Sequence, residues 1–390
     1  MTGPGTPTPS ADRPATRAAT RLAFLVAGFG MACWAPLVPF AKQRLGVDDR
    51  TLGLLLLCLG VGSVCALVVT GVLSARCGSR PIIVLSGAGL AATLPLLGLA
   101  HTPMTLGPAL FAFGASLGSL DVAMNVHAVE VERAAGRPLM SGFHALFSIG
   151  GFAGAGLVTL LLSAGAAVVD ATLMCSALMA IAIAAAWPGL LRAERSDGGP
   201  LLVMPRGVVL VLAGMAAILF LIEGAILDWG ALLMTGAGLV GPDRGGLGYV
   251  VFSIAMTVGR FSGDALAECL GDRAMLVSGG VVAIAGLMVL LTAPHAAAAM
   301  FGFLLVGLGA SNLVPVLFRR AGSQPAMPPG LAIAAVTTTG YAGILLGPAA
   351  VGFVAEALSL PAAFWMLAGL CAVVPLAAGI VTKRSVTTPH

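Results

Sequence analysis

Twelve apolar runs, each long enough to cross a lipid bilayer, leave this chain few folds to choose from. They fall at 18–40, 52–74, 81–100, 105–129, 139–163, 169–190, 207–233, 247–267, 274–293, 297–318, 330–355 and 361–382, parted by charge, Pro or Gly. A helix needs about 20 mostly apolar residues to span the hydrocarbon core, where each backbone N–H and C=O must be satisfied internally. Composition agrees with spans rather than buried soluble helices. The chain is 58% hydrophobic and 9% charged, against roughly 25% charged in a soluble domain, and a soluble fold of such a chain would expose large apolar patches. Its 53 glycines would weaken soluble helices but let membrane helices approach closely. The predicted fold class is all-α integral membrane, with twelve transmembrane helices in two pseudo-symmetric six-helix halves.

Charge sets the orientation. With twelve spans both termini share a side, and Arg13, Arg17, Arg21, Arg76, Arg80, Arg133, Arg137, Arg192, Arg195, Arg206, Arg273, Arg319, Arg320, Lys383 and Arg384 fall there. Only Lys42, Arg44, Arg50 and Arg244 fall on the other side. The positive-inside rule therefore predicts two cytoplasmic termini in a prokaryotic cytoplasmic (inner) membrane. Residues 1–17 read as a disordered cytoplasmic tail, rich in Thr, Pro and Ala and poor in apolar side chains. The run that follows is too long for a signal-peptide core and is taken as the first helix, uncleaved. Residues 18–190 make the N-terminal half, 191–206 a cytoplasmic linker, 207–384 the C-terminal half and 385–390 a second tail.

The halves repeat. LSARCGSR at 73–80 matches LAECLGDR at 266–273, GFAG at 151–154 matches GYAG at 340–343, and GSLD ending at Asp121 matches GASN ending at Asn312. The offsets are 193, 189 and 191 residues, each near half the chain. Parallel repeats of this kind place a substrate site near the bilayer midplane, between the halves.

Several classes are excluded. No basic stripe with interleaved aromatics points to nucleic acid. No G-x-x-x-x-G-K-[ST] loop, metalloprotease helix or G-x-S-x-G elbow occurs, so neither a nucleotide motor nor a hydrolase is indicated. The seven cysteines are scattered without metal spacing and read as reduced packing residues. No cofactor and no metal are expected.

Ionisable groups inside a membrane are expensive and therefore informative. Asp121 and Asn125 lie one turn apart in the fourth span, and His144 and Ser148 one turn apart in the fifth. Spans joined by a short loop pack together, so the four side chains make either a substrate and proton site or a structural hydrogen-bond network. Glu223, in the seventh span, has no basic residue one turn away on its own helix and is a candidate cavity carboxylate. Proton coupling is assigned to Asp121 or Glu223, with the proton gradient as energy source. Asp228 reads as an interfacial or gate residue, and Trp229 as an interfacial anchor or a stacking platform. Arg260 and Asp264, at i and i+4 near the end of the eighth span, read as an intrahelical ion pair or a conformational lock. Asn312 and Tyr341 offer polar contacts to substrate from the tenth and eleventh spans. Trp34 is either a cavity aromatic or a lipid and packing contact, in a first span that Pro36 and Pro39 bend.

The turn Gly71-Val-Leu-Ser-Ala75-Arg-Cys-Gly78-Ser-Arg80 resembles the G-x-L-a-D-r-x-G-r-r signature of the major facilitator superfamily. It has Ala75 where the signature has Asp, and the second copy carries Glu268, Gly271 and Arg273. The resemblance implies the major facilitator fold and a gating role for Gly71, Gly78, Arg80, Glu268 and Gly271. The stretch from Asp121 to Glu132, the stretch from Gly136 to Gly151, Glu223 to Trp229 and Gly259 to Asp264 together resemble the YbjJ-type, fucose-permease-like branch. The first span lacks the carboxylate of the fucose permeases, so a sugar substrate is not implied. The leading expectation is a secondary active transporter of a small solute, working by alternating access as a monomer and coupled to protons. The alternatives are a multidrug or metabolite efflux pump and, from another class, a non-transporting membrane sensor. A membrane enzyme would need a reactive constellation that the chain lacks.

Overall fold

The computed structural model describes residues 13–135, 139–191, 204–327 and 329–382, which form helices joined by short turns. Contacts gather the chain into two compact units, Met1–Gly46 with Cys58–Gly199, and Val47–Leu57 with Pro200–His390. The first half of the chain supplies α1 (Pro14–Cys33), α2 (Val38–Leu45), α3 (Asp49–Cys77), α4 (Ser79–Leu99), α5 (Pro103–Ala135), α6 (Met140–Ser163) and α7 (Val168–Ala186). The second half supplies α8 (Val208–Gly236), α9 (Leu247–Phe261), α10 (Gly263–Leu291), α11 (Ala296–Ala310), α12 (Leu313–Ser323), α13 (Pro329–Ala357), α14 (Leu360–Cys371) and α15 (Val373–Val381).

Among the described residues, eleven helical stretches are long and apolar enough to cross a membrane. The difference from the expected twelve is local to the eighth span. Its core, α9, has only 15 residues and passes through Ser262, at φ −90° and ψ −3°, into α10. The helix then breaks at Gly271, at φ 78° and ψ 160°. The segment before Gly271 prolongs the eighth span, and the segment after it is the ninth. The predicted boundary at 267 is therefore displaced to Gly271, because the left-handed glycine ends the helix. The first span is likewise interrupted. α1 ends at Cys33, a 3-10 turn covers Ala35–Leu37, and α2 resumes with Pro39 in its first turn, where a missing N–H costs nothing.

The repeat has a packing cause. In the first unit, α1 and α6 meet on glycine: β-carbons at Gly28, Gly150 and Gly154 would strike the Phe147, Leu25 and Phe29 carbonyls. In the second unit, α8 and α13 meet in the same way, Gly343 pressing on the Ala217 carbonyl and Gly340 on the Phe220 ring. Gly154 and Gly343 are the closing residues of GFAG and GYAG. Gly114 lies on the Leu59 carbonyl and Gly307 on that of Phe252, so both partners recur at a spacing of 193 residues. Gly78 and Gly271 adopt φ of 81° and 78°, again 193 apart. This register sets Ser311 opposite Gly118, so the GSLD–GASN match is two residues out. The tenth span is broken there, α11 ending at Ala310 and α12 starting at Leu313.

Candidate functional site

In the first unit the one-turn pairs on α5 and α6 hydrogen-bond along their own helices. Asn125 donates from Nδ2 to the Asp121 carbonyl at 2.8 Å and to its Oδ1 at 3.2 Å. Ser148 donates to the His144 carbonyl at 3.3 Å. The His144 ring sets its edge against Phe24 of α1, centroids 5.1 Å apart at 76°. Asp121, Asn125 and Ser148 are half-buried, and His144 is exposed. Asn125 meets the Asp121 side chain as the spacing predicts, whereas Ser148 bonds the His144 backbone and the His144 ring turns toward α1.

Trp34 is enclosed at 1% exposure, and its indole N–H has no acceptor among the described residues. Trp229 repeats the pattern in the second unit at 0%. Its ring lies against Gly352, where a β-carbon would come within 3.1 Å. Neither tryptophan faces outward, so the lipid-contact reading of Trp34 and the interfacial-anchor reading of Trp229 do not hold. A buried N–H without a partner costs about 1–3 kcal/mol, which makes both indoles donors in want of an acceptor.

Charge in the second unit converges from α8 and α9. Arg260 of α9 lies near enough to Glu223 of α8 for their charges to interact. Tyr249, one turn before Ser253 and hydrogen-bonded to it, is within the same range of Glu223, Arg260 and Asp228. Asp228 is buried and Glu223 half-buried. Arg260 was expected to pair along its own helix with Asp264, whose side chain lies outside the described residues; its charge also reaches Glu223 of α8. Tyr249 was missed in the sequence. Being one of only two tyrosines in the chain was the available signal.

The remaining candidates have structural partners. Asn312 donates to the Gly259 carbonyl at 2.8 Å and to Ser311 Oγ at 3.1 Å, and its Oδ1 abuts Gly263. Its amide thus ties α12 to the end of α9. Tyr341 stacks on Phe220, centroids 6.3 Å apart at 23°. Arg80 covers the Trp187 ring at 5.5 Å, beyond the turn at Gly78; Gly71 lies within α3. In the second copy of that turn Glu268 is exposed. The ion pairs form just past Gly271 at Asp272, with Arg319 at 3.1 Å and Arg320 at 3.8 Å. Arg320 also donates from Nε to the Val381 carbonyl at 3.0 Å. Asp272 aligns with Ser79 in the repeat, so the sequence match drew attention to Glu268 instead. Among the described residues no group of three or more His, Cys, Asp or Glu is placed to hold a metal.

The sequence model of the Major Facilitator Superfamily matches residues 22–319, well over half the chain. This chain belongs to the Major Facilitator Superfamily. It is 50% identical over 365 residues to an uncharacterised MFS-type transporter of Yersinia pestis, covering 93% of this chain and 95% of that one. It is 31% identical to an uncharacterised transporter of Sinorhizobium fredii, covering 92% and 96%. To the membrane protein MosC of Rhizobium meliloti it is 33% identical, covering 88% and 85%. Among solved structures, a point mutant of the nucleoside transporter NupG superposes with a TM-score of 0.74 at 13% identity, covering 93% of this chain and all of that one. NupG itself gives 0.72 at 13%, covering 96% and 100%. At that identity the likeness is one of fold. As a superfamily member, the chain is a multi-pass membrane transporter of a small solute rather than an enzyme.

Proposed function

We propose that this superfamily member is a proton-coupled secondary transporter of a small polar solute, with Glu223 as the proton carrier. The observation that carries this reading is the electrostatic influence that Glu223, Arg260, Tyr249 and Asp228 exert on one another across α8 and α9. A carboxylate facing a guanidinium stays charged, and one deprived of it in a low-dielectric setting takes a proton. Rocking of the halves between inward-open and outward-open states would alternate those two conditions. Asp121, held by Asn125, then serves solute binding in the first half, with the Trp34 and Trp229 indoles as further donors. The motifs around Asp121, Glu223 and Arg260 support placement in the YbjJ-type, fucose-permease-like branch. The arginine asymmetry supports cytoplasmic termini in a bacterial inner membrane, and no feature calls for more than a monomer.

Thermal-shift screening of the purified protein against metabolites supplies a solute. Saturable counterflow of that solute in proteoliposomes is the expected result. A stabilising ligand that undergoes no counterflow would instead indicate a sensor. A broad set of bulky apolar cations as the best ligands would indicate an efflux pump.

A further inference from the structure

His127 lies six residues past Asp121 on α5 and is fully buried. Its two ring nitrogens are committed in a way that fixes its protonation. The Leu191 N–H donates to Nε2 at 2.9 Å, so Nε2 carries no proton. Nδ1 stands 3.2 Å from Thr20 Oγ1, and the Thr20 hydroxyl spends its own hydrogen on the Thr16 carbonyl at 2.8 Å. Thr20 Oγ1 can therefore only accept from the ring, which makes Nδ1 the protonated nitrogen. The chain of bonds closes with a neutral imidazole. An imidazolium would set an Nε2–H against the Leu191 N–H, donor to donor.

The place of Leu191 gives this chain of bonds a meaning. It follows the 3-10 turn Trp187–Gly189 at the end of the sixth span and leads into the segment that joins the two units. Gly189 lies on α1, where a β-carbon would come within 2.6 Å of the Ala15 carbonyl and 2.9 Å of the Ala19 β-carbon. Arg80 of α4 covers Trp187. The exit from the first unit is thus seated on α1 and α4 by packing, and on α1 and α5 by the imidazole.

We propose that His127 is a pH-responsive latch: neutral, it fastens the root of the joining segment to α1 and α5, and protonated, it lets that root go. The charged and titratable groups on the surrounding elements are Arg17 and Arg21 of α1, Arg80 of α4, Asp121, Glu130 and Glu132 of α5, His144 of α6 and Asp170 of α7, with Arg133 of α5, whose side chain lies outside the described residues. None of them is a hydrogen-bond partner of the imidazole, whose bonds are those to Thr20 and Leu191. No carboxylate therefore holds the charged form in place.

Hydrogen–deuterium exchange of the intact protein in lipid nanodiscs tests the latch on peptides covering 187–191. Rates are corrected for the pH dependence of intrinsic exchange. Between pH of about 7.5 and about 3, a range wide enough for an imidazole that burial and an unmatched Nε2–H hold neutral, the wild-type Leu191 amide should exchange about tenfold faster, the loss of one hydrogen bond. His127→Gln keeps an acceptor for Leu191 without titrating in this range, and should hold protection at both pH values. His127→Asn keeps a donor toward Thr20 but loses the Leu191 bond, and should exchange fast at both. The wild-type titration needs no variant, so a misfolded substitution leaves the test intact. Wild-type protection that stays level across this range would overturn the proposal, as would a His127→Gln profile that still shifts with pH.

Discussion

Asn312 shows how one amide separates a binding role from a structural one. Its Nδ2 donates to the Gly259 carbonyl near the end of α9, which Ser262 also reaches, and its Oδ1 faces Gly263. Asn312→Ala removes the bond and should cost about 1 kcal/mol of stability. Asn312→Asp keeps the shape but turns a carboxylate oxygen toward the Gly259 carbonyl, and should cost more than the alanine. Unfolding of the purified variants in denaturant checks the order. If Asn312 served the solute instead, both variants would keep wild-type stability and lose affinity. Asp121–Asn125 and His144–Ser148 were legible in the sequence because i, i+4 spacing fixes which side chains share a helix face. Glu223 with Arg260 and Tyr249 was not, because their charges interact across two helices, and spacing along one helix carries no information about rotation against another.

Among elements, glycine decides which helices touch. Gly154 and Gly343 each press on a carbonyl of the neighbouring helix, whereas Gly214, also helical, has nothing within 4 Å of its would-be β-carbon. Gly154→Ala and Gly343→Ala should each lower the melting temperature of the purified protein, since the obstruction is backbone and cannot turn aside. Gly214→Ala should hold or raise it, a helical alanine being worth up to about 1 kcal/mol over glycine. Equal effects at all three positions would refute the close-packing account of the repeat. The repeat was visible as GFAG and GYAG before its cause was. The eighth span was harder to bound, because Arg260, Asp264 and Glu268 blur its hydropathy and its true end is the positive φ of Gly271. The sequence marks that glycine only through its likeness to Gly78.

For the whole molecule, the fold was legible because the bilayer dictates helix length and the duplication dictates six helices per half. The roles of single residues were less so. Glu268 stood out by its match to the signature turn while Asp272 makes the ion pairs, and nothing in the sequence marks His127, whose partner Leu191 lies 64 residues away. The central claim is that Glu223 carries the proton that drives transport. Glu223→Gln keeps the side chain's shape and removes its titration. The direct measurement is solute uptake into proteoliposomes under a pH gradient beside counterflow without one, for wild type and Glu223→Gln. The account predicts that the variant loses accumulation against a gradient and keeps counterflow. A variant that still concentrates solute under the pH gradient would contradict it.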